Sequence, residues 1–382
     1  MGNTFRPGLY LHIPFCQSKC GYCDFYSVTD LSLRTDFINA LKNEIAIYAD
    51  KASKEIVFDT IYIGGGTPSL LTPGETAEIL NIITRSFTID PGAEITLEIN
   101  PGTADLDKLR DFRSAGINRL SLGIQSFSNT YLQLLQRIHT AEQAREVIIN
   151  SRKAGYLNLG LDFIYGLPGQ SRQDWQQTLR SAIEYQPEHI SAYSLIIEPD
   201  TPFYWKKQNG ELRIPGDDRV ADYFKDTREI LCAAQYNHYE ISNYSRSDDF
   251  KSRHNSKYWD HTPYLGFGPS AHSFWQNCRW GNQRSLIRYI RNLNANLPAT
   301  AFREELDDSQ LITEHIMLAL RTDQGICISK FNARYNLSFL DQFHSTIIRL
   351  TASDYGRIAE DRFYLTEKGM LVCDEITLAF SK

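Results

Sequence analysis

Tyr10-Leu-His-Ile-Pro-Phe-Cys16-Gln-Ser-Lys-Cys20-Gly-Tyr-Cys23-Asp-Phe-Tyr26 is the stretch on which the reading of this chain turns. Its beginning, residues 9–13, reads as a short strand, and a loop holding Cys16-x3-Cys20-x2-Cys23 follows directly. Thiolates are soft ligands that select zinc, copper(I) or iron–sulfur clusters. A structural zinc site wants four closed ligands, usually two pairs of neighbours far apart in sequence. Here all three thiols fall in one tight loop and no second Cys-x2-Cys follows. Three thiolates on a four-iron cluster leave one iron without a protein ligand, open to another molecule. The alternatives are zinc completed by His12, or a chance grouping.

Outward from this loop, the first half of the chain keeps a regular beat. Strand-like runs at 9–13, 60–63, 94–100, 119–123, 158–164 and 189–196 alternate with helix-like stretches at 33–49, 74–85, 105–115, 141–154 and 173–185. Strands spaced this way by helices imply βαβ units and a parallel sheet, either doubly wound or a partial barrel. Chemically rich loops follow several strands: Cys16 to Cys23, Gly64-Gly65-Gly66-Thr67-Pro68, Asn100-Pro101-Gly102, and Gly166-Leu167-Pro168-Gly169. Parallel α/β folds gather their ligand sites at the carboxyl ends of the strands, so these loops point to one shared site. Past about Asp217 the beat is lost, and aromatic and polar residues crowd into 236–280. Beyond Asp307 come helix-like stretches at 309–320, 328–335 and 340–351, two short strand-like runs and a last helix. That order resembles a winged-helix module, but the recognition-like stretch carries only Lys330 and Arg334, which favours a structural or docking cap over a reader of DNA. The expected division is 1–215, the α/β core that holds the cysteine loop; 216–306, an aromatic-rich connecting region; and 307–382, the winged-helix-like module in which a C-terminal α+β domain ends.

The 382 residues carry a net charge of -6, with no dense basic block. Such a balance argues against nucleic acid or an anionic membrane surface as a non-specific partner. The first residues lack the pattern of a secretion signal and no long apolar run is present, so a cytoplasmic location is expected. Of seven cysteines, Cys232, Cys278, Cys327 and Cys373 lie scattered and read as ordinary buried or half-buried thiols.

Several strand-end residues suit a polar ligand. The glycines at 64–66 let backbone approach a bound molecule. Glu98, in a strand otherwise fit for burial, needs hydrogen-bond donors, and ribose hydroxyls would serve. Gln125 and Asp162 share that strand-end character, and Arg137 could pair with a carboxylate. In the second half, His254-Asn255-Ser256-Lys257-Tyr258-Trp259 sets an imidazole among aromatic residues, with Tyr264 close behind. A neutral imidazole suits haem iron and flat rings suit a porphyrin, although a histidine beside aromatics is often a packing residue. His272 is the substitute.

The cysteine segment resembles the signature of the radical S-adenosylmethionine (SAM) superfamily. More narrowly it is similar to the branch of oxygen-independent coproporphyrinogen III dehydrogenase and the HemW-type haem chaperones. That resemblance implies a partial (β/α)6 radical SAM barrel, and a [4Fe–4S] cluster on Cys16, Cys20 and Cys23 whose open iron is chelated by the amine and carboxylate of SAM. It implies SAM contacts at Tyr10, Gly65, Gly66, Thr67, Glu98, Gln125, Arg137 and Asp162. The dehydrogenase pattern has another cysteine two residues after the third ligand, where this chain has Phe25, and a longer stretch before the first strand. Both differences, with the match of residues 254–259 to an HNxxYW motif, favour the chaperone type. For such a protein the resemblance implies haem as cargo, His254 as its ligand, apo-haemoprotein recipients such as respiratory-chain proteins, peripheral membrane contact and a homodimer. Radical decarboxylation of coproporphyrinogen III is the alternative activity.

Overall fold

A computed structural model describes residues 6–49 and 55–380. Six parallel strands come first: β1 (Gly8–Ile13), β2 (Val57–Gly65), β3 (Thr88–Ile99), β4 (Arg119–Gln125), β5 (Leu159–Tyr165) and β6 (His189–Ser194). Each pairs with the next in order of sequence. Helices run between them, at Arg34–Ala49, Pro73–Ser86, Leu106–Ser114, Ala141–Lys153 and Arg172–Glu184. Three of these helices begin in reciprocal caps, Thr72 with Glu75, Thr140 with Gln143 and Ser171 with Asp174. Each such box satisfies two otherwise orphaned N–H groups and fixes where the helix starts.

Side-chain parity on these strands is uniform. Leu9, Leu11 and Ile13, Ile61 and Ile63, Leu97 and Ile99, Leu120, Leu122 and Ile124, and Leu161 and Phe163 all face the helices and join one apolar core. The alternate positions carry Tyr10 and His12, Tyr62, Glu98, Arg119 and Ser121, Asp162, and His189 and Ser191. Most of these second-set residues, contributed by β2 to β6, line a single cavity. The sheet is therefore curved, with an apolar outside under the helices and a polar inside, as a partial barrel demands. The expected strands are found with shifted ends: β2 begins at Val57 and β3 at Thr88, across a register shift between Phe58 and Thr60, while β4 runs on to Gln125 and β6 stops at Ser194.

The stretch 216–306, expected to connect, instead supplies strands to the same sheet. Here lie β7 (Asn237–Glu240), β8 (Asn243–Ser245), β9 (Tyr264–Phe267), β10 (His272–Trp275), β11 (Cys278–Asn282) and β12 (Thr300–Glu305). The sheet runs β12-β11-β10-β9-β1-β2-β3-β4-β5-β6-β8-β7. Thus β9 lies parallel to β1 on one side, and β8 antiparallel to β6 on the other. Strands of three to six residues in aromatic sequence lack the helix–strand beat on which the sequence reading relied. The last residues form a second apolar core, with Ile316, Phe331, Phe339, Phe363 and Phe380, around β13 (Ile326–Cys327), β14 (Gly356–Ala359) and β15 (Arg362–Leu365). No helix among the described residues is long and apolar enough to cross a membrane.

Glu44 locks the Arg34–Ala49 helix to the far strands. Its carboxylate accepts hydrogen bonds from the Gly268 N–H (2.8 Å), Asn282 Nδ2 (2.6 Å) and the Tyr289 hydroxyl (2.6 Å). Burial lifts this carboxyl from its ordinary 4.5 to about 7. Between those values the folded chain holds a proton here that the unfolded chain has released, so the contribution of Glu44 to stability falls as pH rises from 4.5 towards 7 and then levels off. In denaturant unfolding, the stability of wild type relative to Glu44→Gln should be lower at pH 8 than at pH 5, by on the order of a few kcal/mol or less. Glu44→Gln should remove its part of that slope; an unaltered slope would discharge Glu44 from the role.

Candidate functional site

The cysteine loop is closed at its base by backbone. The Cys16 N–H donates to the Val28 carbonyl (3.0 Å) and the Val28 N–H to that of Pro14 (2.7 Å), so residues 16–27 leave and rejoin the end of β1 at one point. The glycine loop after β2 locks onto the same place. The Gly66 N–H reaches the Ile13 carbonyl (2.8 Å), the Thr67 N–H that of Phe15 (2.7 Å), and the Thr67 hydroxyl faces Cys16 Sγ at 3.5 Å. A Cβ on Gly66 would stand 2.6 Å from the Phe15 carbonyl oxygen and 3.1 Å from Cys16 Sγ. Only glycine fits.

The three thiols are presented differently. Cys16 is buried behind Thr67, Cys20 lies 3.7 Å from Arg137 Nη1, and Cys23 lines the cavity. Burial pushes the Cys23 thiol up to about 11. Among the described residues no three His, Cys, Asp or Glu side chains converge on a point that a single metal ion could occupy. A four-iron cluster takes each thiolate on its own iron and needs no such convergence. His12 offers nothing to zinc, because Nε2 is 2.8 Å from the Tyr26 carbonyl and so carries the proton, while Nδ1 faces the Tyr10 hydroxyl at 3.1 Å. Of the scattered thiols, Cys278 and Cys373 are buried and Cys327 half-buried, but Cys232 is exposed, on the solvent side of the last turn of the Asp217–Ala233 helix.

Beside the loop opens a cavity of about 550 Å³ whose wall includes Gly65, Gly66, Thr67, Glu98, Gln125, Arg137 and Asp162. Glu98 accepts from the Tyr62 hydroxyl (2.8 Å) and the Gly65 N–H (3.2 Å), and burial raises its carboxyl to about 7. Asp162 accepts from Ser121 Oγ (2.7 Å) and Ser191 Oγ (2.6 Å), and burial raises it too. Arg137 is held by the Asn100 side chain (2.6 Å) and the Gly123 carbonyl (3.1 Å), which aims it past the cysteine loop. Gln125 sits at φ +62°, an uncommon conformation for a side-chain-bearing residue, where the β4–β5 register shifts.

Two nominated residues stand elsewhere. Tyr10 is not in the cavity wall; it bonds His12, and Tyr62 on the next strand takes the wall position. His254 is 1 % exposed beneath the cavity, in the Arg253–Trp259 helix. Its Nδ1 meets the Thr60 hydroxyl (2.9 Å), its Nε2 the Tyr258 hydroxyl (3.0 Å), and its ring lies along those of Tyr62 and Tyr10. Burial drops it to about 3, so it is neutral. Haem iron could reach it only after Tyr258 let go. Its neighbour Asn255 does line the cavity. So do Arg119, Ser121, His189, Ser191 and Tyr193, none of them nominated from sequence; the signal was their two-residue alternation with Asp162, Gln125 and the apolar positions.

The pattern of the radical SAM superfamily matches residues 10–182, and that of the HemN C-terminal domain matches 306–372. Relatives span nearly the whole chain. The protein named heme chaperone HemW in Synechocystis sp. is 34% identical over 377 residues, covering 96% of this chain and 89% of that protein. The one so named in Bacillus subtilis is 32% identical over 375 residues, covering 97% and 98%. Among solved structures, coproporphyrinogen III oxidase (HemN) from Escherichia coli, described as a radical SAM enzyme, superposes with a TM-score of 0.85 at 24% identity, over 99% of this chain and 91% of that one. That likeness shows the fold.

Gly66→Ala tests the junction of the two loops. Its Cβ would force the Phe15 carbonyl and Cys16 apart, and iron and sulfide per chain after anaerobic reconstitution should fall well below the wild-type values. Full loading would mean the junction can yield without cost.

Proposed function

The chain belongs to the HemW haem-chaperone family of the radical SAM superfamily, and on that premise we propose that it carries haem and delivers it to apo-haemoproteins while holding a SAM-ligated [4Fe–4S] cluster. The observation that carries the cofactor part is the convergence of cysteine loop, glycine loop and inward-facing strand residues on one cavity. In this reading Cys16, Cys20 and Cys23 hold the cluster. Gly65, Gly66 and Thr67 lie against the methionine end of SAM, Glu98, Gln125 and Asp162 face its polar groups, and Arg137 takes its carboxylate. Tyr10 acts from behind, by orienting His12 and packing on Tyr62. A bound, reduced cluster supplies one electron at the sulfonium; the residues named here bind, orient and exclude water.

The family supports the haem part. At the position of the dehydrogenases' extra thiol stands Phe25, which is 68 % exposed at the rim of the cavity. Ile196, 66 % exposed, lines the same rim, and Trp205 projects nearby from the Pro202–Gln208 helix, whose Phe203 packs on the cysteine loop. Exposed apolar groups in one neighbourhood are typical of contact surfaces. We assign this rim to the meeting with recipients, respiratory-chain proteins among them, and with it the cytoplasmic location, the peripheral membrane contact and the homodimer that such delivery would use.

Purified protein should take up haem saturably, with a stoichiometric change in the Soret band; no saturable uptake would end the chaperone reading. In Asp162→Ala, SAM affinity by calorimetry should drop by about tenfold or more while iron and sulfide stay at wild-type levels. Wild-type affinity would take Asp162 out of the site.

A further inference from the structure

Nine histidines offer eighteen ring nitrogens to haem iron, and hydrogen bonding occupies half of them. His12 and His254 are engaged at both nitrogens. His139, His189, His238, His261 and His315 are each buried or half-buried and engaged at one. Among the described residues only His272 and His344 have no hydrogen-bond partner at either nitrogen. His344 opens the His344–Ala352 helix on a solvent-facing side, and among the described residues its imidazole makes no ring contact.

His272 stands in a different setting. Strand pairing puts Gly281 opposite His272 on one side, and on the other the backbone of Gly266 comes close to the His272 carbonyl. The row continues outward, from Gly266 to Tyr10 and from Gly281 to Phe302. Side chains along such a row share one face of the sheet. The imidazole therefore rises between two residues that have no side chain. Both flanks need glycine: a Cβ on Gly266 would lie 2.0 Å from the His272 carbonyl oxygen, and one on Gly281 would lie 2.4 Å from the Phe302 ring. Phe302 fills the space over Gly281 and meets the His272 ring edge-on, with centroids 5.5 Å apart. The result is an exposed imidazole beside an exposed aromatic ring on level ground. Partial burial and the charge of Arg279 lower the His272 pKa, which keeps its lone pair available.

We propose that His272, with Phe302 as an apolar wall, is the axial ligand for the haem that this protein carries, and that His254 is a packing residue under the cofactor cavity. This rests on the chaperone reading. It follows from what each imidazole has free: His272 can coordinate iron without breaking a bond, whereas His254 must give up Tyr258 and leave a buried site.

The experiment is haem titration of the full, cluster-loaded chain in four forms: wild type, His272→Ala, His272→Cys and His254→Ala. Wild type should saturate with an imidazole-type Soret band. His272→Ala should bind about tenfold or more weakly with a displaced band, at unchanged iron and sulfide content. His272→Cys should give the band position of thiolate-ligated haem. His254→Ala should melt at a lower temperature yet keep the wild-type band position. If wild type binds and both His272 variants match it in affinity and spectrum, this assignment is overturned and the chaperone reading stands. If wild type shows no saturable binding, the chaperone reading falls and the assignment falls with it.

Discussion

Everything at the mouth of this barrel depends on two backbone hydrogen bonds beyond the end of the β1–β2 ladder, Gly66 N–H to Ile13 and Thr67 N–H to Phe15. They carry the pairing of two strands on into two loops, so that the thiols and the glycines occupy fixed positions relative to the sheet. Strand pairing is rigid and loops are ordinarily loose. Here the loop containing all three cysteines is fastened at its base to Val28 and along its side to the glycine loop. A cluster held there inherits the rigidity of the sheet, and the cavity beside it is walled by strands on the same register.

The polar interior is balanced by partnership more than by solvent. Arg119 is buried with Glu94 3.9 Å away, and the same Glu94 accepts the Arg253 and His254 N–H groups at 3.1 Å each. Asp59 receives Arg253 and Lys257 from the outside. The short helix under the barrel is thus tied to β2 and β3 at both charged ends. Its His254 completes the aromatic pile of Tyr10 and Tyr62 on which the cavity floor rests. Buried ionic groups are costly to leave half-paired, so this floor is expected to move as a unit.

Legibility in the sequence followed the strength of the local signal. The six parallel strands were readable because a helix of ordinary length separates each from the next, and three of those helices announce themselves with Thr or Ser three residues before Glu, Gln or Asp. The cysteine spacing and the glycine run marked the two loops that the structure joins. Tyr62, Arg119, His189 and Tyr193 were passed over because each looks ordinary alone; only the parity of inward and outward positions gives them away. The strands from 237 onward were hidden for another reason. A stretch such as His272 to Trp275 becomes a strand by pairing with neighbours far away in the chain, and no local preference says so. His254 was attractive in sequence for its aromatic company, and that company is what encloses it.

The placing of β9 beside β1 has a consequence for how the molecule is made. Strand β1 ends at residue 13, but the neighbour that covers its free side begins at Tyr264. Ribosomes add roughly 5–20 residues per second, so the first strand emerges tens of seconds before its second partner exists. During that interval one edge of a hydrophobic strand, with the cysteine loop attached, is unprotected against pairing with other nascent chains. Early synthesis is therefore the period in which this protein most needs a holding factor of its own.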